Sequence, residues 1–469
     1  MNVLFIKPQS KHMLYGDLPP EVDSERGLYP PLGLMYVASY LRENSNANIK
    51  MLDMEAEKIT IEDLQAYVNK TKPDVVGIQS ITYTIIDTIE TANKIKEIDK
   101  SIKVVVGGIH ASIYPEETLA IPSIDYAING EGEVTFTNLV KNLDNHEKLK
   151  KIKGMAFKEK GRIINNGRSD VIQDIDALPF PARDLLPSKK YFSVLAKRAP
   201  LTTMITSKGC PNQCVFCDRP QLENRFRART AKSVVDEMES CATMGIYEFS
   251  LYDDTFTINK KRVHDICDEI IRRQLNIGWD ARARVNTVDR ETLQKMKKAG
   301  CDRIYYGVES GDPEILKVIK KNITLEQVKT AFKLTKKLGI QTLAYFMIGL
   351  PTEKREHILR TIKFAKELNP DYAVFSIFTP MPATEAYEMY VKTGLFNDYW
   401  KEFAKNPSTD FKPKVLEENL KKEELNELIR YAYKTYYINP KYIMQRILSI
   451  RGFAQLKAQV KAGLGLLKI

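Results

Sequence analysis

Residues 207–220 read SKGCPNQCVFCDRP. The residues just before them, LTTMITS from Leu201, are short, apolar and β-branched, as in a buried strand, so the cysteines follow directly on a strand end. Three of the chain's six cysteines, Cys210, Cys214 and Cys217, fall within this loop, and no fourth accompanies them. Thiolates are the usual ligands of iron–sulfur clusters, and three of them on a [4Fe–4S] cube leave one iron open. An open position separates a catalytic metal from a structural one. The competing reading is a zinc knuckle completed from elsewhere in the chain. Cys241, Cys267 and Cys301 lie scattered in helix patterns, as small buried hydrophobes do.

C-terminal to the loop, strands are expected at 248–254, 277–283, 303–310, 342–350 and 372–380, each gap being long enough for a helix. With 201–207 these make six βα units, a partial barrel of the TIM type. Asp253, Asp254, Arg282, Arg284, Glu309 and Ser310 sit at strand C-terminal ends, the face on which such folds carry their sites.

N-terminal to the loop, the pattern changes. IDALPFPARDLLP sets Pro179, Pro181 and Pro187 in an extended linker, preceded by a hairpin turning at Lys160-Gly161. Before that, strands at 2–8, 48–54, 74–80, 103–110 and 126–130 alternate with helices such as 31–44. Val/Ile-rich strands of this kind imply a Rossmann-like, doubly wound parallel sheet. The expected domains are 1–145 (α/β), 146–195 (hairpin and linker), 196–385 (barrel) and 386–469 (helical).

The chain has 469 residues, 43% apolar and 28% charged, enough for several cores. Its start, MNVLFIKPQS, enters a strand pattern rather than a leader, no apolar run reaches the ~18 residues of a membrane span, and the cysteines form no disulfide framework. A reducing cytoplasm is the expected setting. The net charge of +11 is concentrated at the end, where seven Lys/Arg and no Asp/Glu follow from Lys434. From Tyr442 the apolar spacing describes a basic amphipathic helix, open to two readings: contact with an anionic membrane face, or packing with a solvated basic side. Without interleaved aromatics, nucleic acid is not an expected partner.

C-x3-C-x2-C with Phe216 before its last cysteine resembles the signature of the radical S-adenosylmethionine (SAM) superfamily. YDDTF (252–256), 284–301, GVESG (307–311), MIGLPTE (347–353) and TPMPATEAY (379–387) follow in family order, with Ala383 where the family pattern has glycine. The resemblance implies that Cys210, Cys214 and Cys217 hold a [4Fe–4S] cluster whose open iron chelates SAM. It implies that the cluster, reduced by an electron from a flavodoxin or ferredoxin, cleaves SAM to a 5′-deoxyadenosyl radical. Phe216, Asp254, Arg284, Glu309, Ser310, Ile348 and Gly349 would then border SAM.

The N-terminal stretches PPLGLMYVASYL, GIQSITYT, GGIHAS and NGEGE resemble the cobalamin-binding domain of the class that couples both cofactors. Ser80, Thr82, Gly107, Gly108, His110, Gly130, Glu131 and Gly132 would border cobalamin. No histidine falls in a D-x-H-x-x-G pattern, so His110 is expected as a wall rather than a cobalt ligand. The class includes magnesium-protoporphyrin monomethyl ester cyclases and hopanoid methylases. The expected activity is methylation of an unactivated carbon on a small, hydrophobic, lipid-like substrate by way of methylcobalamin. A ring-forming cyclase and a non-catalytic, metal-stabilised binding protein are the alternatives.

Overall fold

The computed structural model describes residues 1–14, 27–218 and 225–449. The chain forms two compact units. The first comprises Met1–Leu14, Pro30–Tyr191 and Glu388–Lys412. The second comprises Phe192–Tyr387, with residues 27–29 and 413–449. The C-terminal region expected as one helical block is thus divided between them.

In the first unit, β1 (Asn2–Lys7), β2 (Asn48–Asp53), β3 (Val75–Gln79), β4 (Lys103–Gly107) and β5 (Tyr126–Ile128) form a parallel sheet in the order 2-1-3-4-5. This is a doubly wound sheet, as the alternation implies, and its order reverses between β1 and β3. The hairpin β6 (Met155–Glu159) and β7 (Arg162–Asn165) does not stand apart in a linker: β6 pairs antiparallel to β5 and extends the sheet to seven strands. Lys160 and Gly161 turn it with φ of 48° and 79°, the left-handed pair that matches strand twist. Leu4, Ile6, Val76, Ile78, Val104 and Val106 fill one face of the sheet at 1% exposure or less. His110 is not in the strand expected over 103–110. The chain leaves β4 at Gly107, and Ile109–Ile113 is a short helix.

The second unit carries six parallel strands: β8 (Leu201–Met204), β11 (Glu248–Leu251), β12 (Gly278–Ala283), β13 (Cys301–Glu309), β14 (Gln341–Ile348) and β15 (Tyr372–Ile377). Their spatial order is the chain order, an open partial barrel. Between β8 and the helix Ala231–Thr243 that leads to β11 lie β9 (Ser207–Lys208) and β10 (Arg227–Ala228), a two-residue antiparallel pair closing the cysteine loop at its base. Asp253 secures this base by accepting from the Thr206 amide at 2.6 Å and from the hydroxyls of Thr206 and Ser207.

β15 is an open edge, where unpaired backbone groups need partners. Helix Lys422–Tyr437 supplies them. The Tyr433 hydroxyl accepts from Phe375 N (3.2 Å) and donates to Phe375 O (2.9 Å); that of Tyr437 does the same for Ala373 (3.0 and 2.7 Å). Four residues of helix rise ~6 Å and two of strand ~6.6 Å, so tyrosines four apart meet alternate edge residues. The double variant Tyr433→Phe/Tyr437→Phe is expected to lose about 2–6 kcal/mol, since each strands a buried donor–acceptor pair at ~1–3 kcal/mol. Urea unfolding reads this, and an unchanged midpoint would refute the role.

Ala383 holds φ +60°, the left-handed region for which the family pattern's glycine is suited. Ala383→Gly is expected to relieve ~1 kcal/mol of strain, seen as a higher melting temperature.

Among the described residues no helix is long and apolar enough to cross a membrane. The amphipathic pattern begins in the described helix Pro440–Ser449, where Ile443 is exposed. Its remainder, including Gly452, falls on 450–469, outside the described residues.

Candidate cluster-binding and cofactor site

The Cys210–Cys217 loop lies at the C-terminal end of the barrel strands. Cys214 is buried, while Cys210 and Cys217 are partly so, and all three are free thiols. Hydrogen-bond donors surround the sulfurs. Asn212 Nδ2 donates to Cys210 Sγ at 3.1 Å, Thr255 Oγ1 stands 3.8 Å from it, and Arg284 Nη1 donates to Cys214 Sγ at 3.6 Å. Burial first, then the neighbouring thiols and Asp254, pushes the Cys217 thiol up to about 12. Three thiols on one short loop, two of them met by donors suited to anionic sulfur, form a donor set that a cationic cluster core would satisfy. Cys241, Cys267 and Cys301 are buried, as expected for structural cysteines.

Period-2 alternation along β12 sets Asp280 and Arg282 on one face, and the extended residue just past its end, Arg284, continues that row. Arg284 is buried. Its Nη2 donates to Lys321 O, and its Nε has no hydrogen-bond partner, leaving one donor for a ligand. Glu309 ends β13 with φ +69° at a register shift against β14, a strained position of the kind found at functional sites. It pairs with Lys321 Nζ at 2.7 Å, both side chains being at most 10% exposed. A Cβ on Gly307 would lie 2.3 Å from Glu309 Oε1 and 2.8 Å from Lys321 Nζ, so only glycine leaves room for this pair. Lys321 also lies 5.8 Å from the Phe216 ring centre, linking the pair to the cysteine loop.

The remaining expected SAM neighbours have defined partners. Asp254 Oδ2 accepts from Gly209 N at 2.9 Å and braces the loop, and burial raises its carboxyl above the usual range. The Ser310 hydroxyl faces Thr361 (3.1 Å) and accepts from Asp312 N (3.2 Å), which makes Ser310 a turn residue. Ile348 is fully buried, and Gly349 (φ +74°) lies where a Cβ would meet Leu425 at 3.1 Å, so its nearest close approach is to helix Lys422–Tyr437.

Glu353 holds the turn after Gly349 by accepting from Leu350 N at 3.0 Å, while its Oε1 is buried without a partner. Burial pushes this carboxyl up to about 8 from its ordinary 4.5. Its contribution to stability is therefore intact below pH 4.5 and is lost as pH rises towards 8. Glu353→Gln is expected to leave stability near pH 4.5 unchanged and to raise it by on the order of 4 kcal/mol above pH 8, read by melting temperature across pH.

In the first unit, the expected cobalamin neighbours gather at the C-terminal ends of β3, β4 and β5. Ser80 N donates to Gly107 O (2.8 Å), and Gly108 (φ +104°) lies where a Cβ would meet Ser80 O at 2.5 Å. A Cβ on Gly130 would meet Ser169 Oγ at 2.4 Å, and one on Gly132 would meet Val37 at 3.3 Å. These three glycines let the protein's own segments close on one another, whereas Gly107 has only ordinary contact with Ile128 at 3.7 Å. Glu131 Oε2 accepts from Ile172 N at 2.7 Å. His110 is fully buried. Its Nδ1 stands 3.3 Å from Thr82 Oγ1, its Nε2 has no partner, and burial lowers its pKa to about 4, keeping it neutral. Asn129 Oδ1 is likewise buried and unpartnered. Two orphaned polar atoms at these strand ends fit a polar ligand that approaches there.

Sequence reasoning did not find Lys321 or Glu353. Lys321 lies in an ordinary lysine-containing turn, and only the return of the chain beside β13 makes it Glu309's partner. For Glu353, the MIGLPTE motif was visible but the burial was not.

Two family profiles match the chain: the Radical SAM superfamily over residues 204–365 and the B12 binding domain over 22–140. An uncharacterized methyltransferase of Pyrococcus horikoshii is 39% identical over 428 residues, covering 90% of this chain and 91% of the relative. The anaerobic magnesium-protoporphyrin IX monomethyl ester cyclase of Rubrivivax gelatinosus is 30% identical over 397 residues, covering 83% and 70%. Among solved structures, the cobalamin-dependent SAM radical enzyme OxsB, with aqua-cobalamin and SAM bound, aligns with a TM-score of 0.76 at 18% identity. That alignment covers 99% of this chain and 72% of OxsB.

Proposed function

The chain belongs to the radical SAM superfamily, in the group that carries a B12-binding domain, and from this premise we propose that it is a cobalamin-dependent methyltransferase acting on an unactivated carbon of an apolar-bodied small molecule. The observation that carries the reading is the three-thiol loop, with N–H donors directed at Cys210 and Cys214 and the Arg284, Glu309 and Lys321 charges beside it. Methyl transfer is favoured over cyclisation because the methyltransferase relative is nearer in identity and matches over almost its whole length.

When bound, a [4Fe–4S] cluster, SAM and cobalamin supply the one-electron cleavage and the methyl carriage that side chains cannot perform. The chain's residues position and shield. Cys210, Cys214 and Cys217 would hold three irons. The free Nε of Arg284 suits a carboxylate, and Glu309 suits an ammonium or a ribose hydroxyl, the two kinds of group SAM presents. At the other sheet, His110 and Asn129 would offer cobalamin polar contacts. The electron would come from a small donor such as a flavodoxin or ferredoxin.

Anaerobic reconstitution tests this. The expected result is about four irons and four sulfides per chain, reductive release of 5′-deoxyadenosine from SAM, and stoichiometric cobalamin binding. Zinc in place of iron, with no SAM cleavage, would sink it. Comparison of metabolite masses with and without the gene separates the activities: products lacking one methylene indicate a methylase, and products retaining two extra hydrogens indicate a cyclase.

A further inference from the structure

The inner face of the barrel sheet carries an arginine the chemistry above does not use. Arg282 stands on β12 in the row that Arg284 continues, two residues and ~7 Å further from the cysteine loop. Its guanidinium carbon lies 3.9 Å from the Tyr252 ring centre and 4.9 Å from that of Tyr305, so two aromatic rings fix its position. Nη1 is occupied by Leu251 O at 2.7 Å and by Ser250 and Asp280. Nε and Nη2 take no hydrogen bond among the described residues, and the side chain is 27% exposed.

The charges around it do not cancel. Asp280 is shared: one oxygen faces Arg282 at 3.5 Å, and the other faces the buried Arg303 at 3.1 Å. Among the described residues, two guanidinium groups on one carboxylate leave one positive charge in excess. Beside it, Tyr345 of β14 (37% exposed) stacks on Tyr305 of β13, and Tyr252, just past the end of β11, is 41% exposed. A fork of donors unused among the described residues, a single excess charge there and two partly exposed tyrosines suit an amphiphile with a planar or apolar body.

We propose that Arg282 anchors a single carboxylate of the substrate, with Tyr252 and Tyr345 receiving the apolar body. Calling that molecule the substrate rests on the function proposed above; the binding site itself does not. A single excess charge matches a carboxylate rather than a doubly charged phosphate. The carboxylate would lie two residues along the chain from Arg284, leaving the rest of the molecule to extend towards the cysteine loop.

Calorimetric titration of the full-length protein with 1-naphthoate, 1-naphthamide and 1-naphthyl phosphate tests the site without any cofactor loaded, so the result is independent of whether SAM is cleaved. Naphthoate is expected to bind about tenfold or more tightly than the isosteric amide, as a charge-assisted pair requires, and more tightly than the phosphate. Arg282→Gln is expected to abolish that preference, and Arg282→Lys to keep part of it. Tyr345→Leu is expected to weaken acid and amide together without changing their ratio, which separates anion recognition from general loss of packing. Failure of naphthoate to bind at millimolar concentration, equal binding of the amide, stronger binding of the phosphate, or a preference that survives in Arg282→Gln each overturns the proposal.

Discussion

Alanine at any one of Cys210, Cys214 or Cys217 is expected to reduce cluster iron in the reconstituted protein to background and to abolish SAM cleavage. A cube held through three cysteines loses a ligand outright, and the replacement supplies no donor. The remaining thiols cannot compensate, because the other three cysteines are buried in helices and strands away from the loop. Alanine at Cys241 or Cys267 removes one buried sulfur, is expected to cost only ~1 kcal/mol of packing, and should leave iron content unchanged. Iron and sulfide analysis with 5′-deoxyadenosine release measures both sets. Full iron loading in a Cys214→Ala protein would refute the assignment of the loop.

The second large effect is expected at Lys321. Lys321→Met leaves the Glu309 carboxylate buried, held at φ +69° and without its ion-pair partner. Breaking a buried pair from one side costs ~3–5 kcal/mol, because the remaining charge is uncompensated. SAM affinity is expected to fall as well, since an isolated carboxylate either takes up a proton or turns away. The double variant Lys321→Met/Glu309→Gln removes the orphaned charge and is expected to recover most of the stability while leaving SAM binding weak. Urea unfolding and equilibrium SAM binding read the two effects separately. Equal stability of the single and double variants would show that the pair does not matter to the fold. Retained SAM affinity in the double variant would show that it does not matter to the cofactor.

These two predictions differ in how far they were legible in the chain. The cysteine loop is local: its spacing, the strand before it and the residue types are all contained in about twenty positions. The strand–helix alternation is equally local, and for this reason the six barrel strands and the five parallel strands of the first sheet appear near their expected places. Where the expectation missed, the cause was long range. The hairpin at 155–165 reads as lying outside the first domain until Ala127 is seen opposite Ala156. His110 reads as the end of a strand until Gly108 takes a φ of +104° and starts a helix.

By itself, then, the sequence determined the two parallel α/β sheets, the cluster loop and the order of the cofactor motifs, because hydrophobic period, turn chemistry and ligand spacing are properties of neighbours along the chain. Only the tertiary structure decided that Lys321 neutralises Glu309, that Tyr433 and Tyr437 seal the barrel's edge strand, and that Arg282 stands between two rings with Nε and Nη2 unused among the described residues. Those partners are separated by up to 64 positions. Strand register and helix packing bring them together, and no local pattern records either.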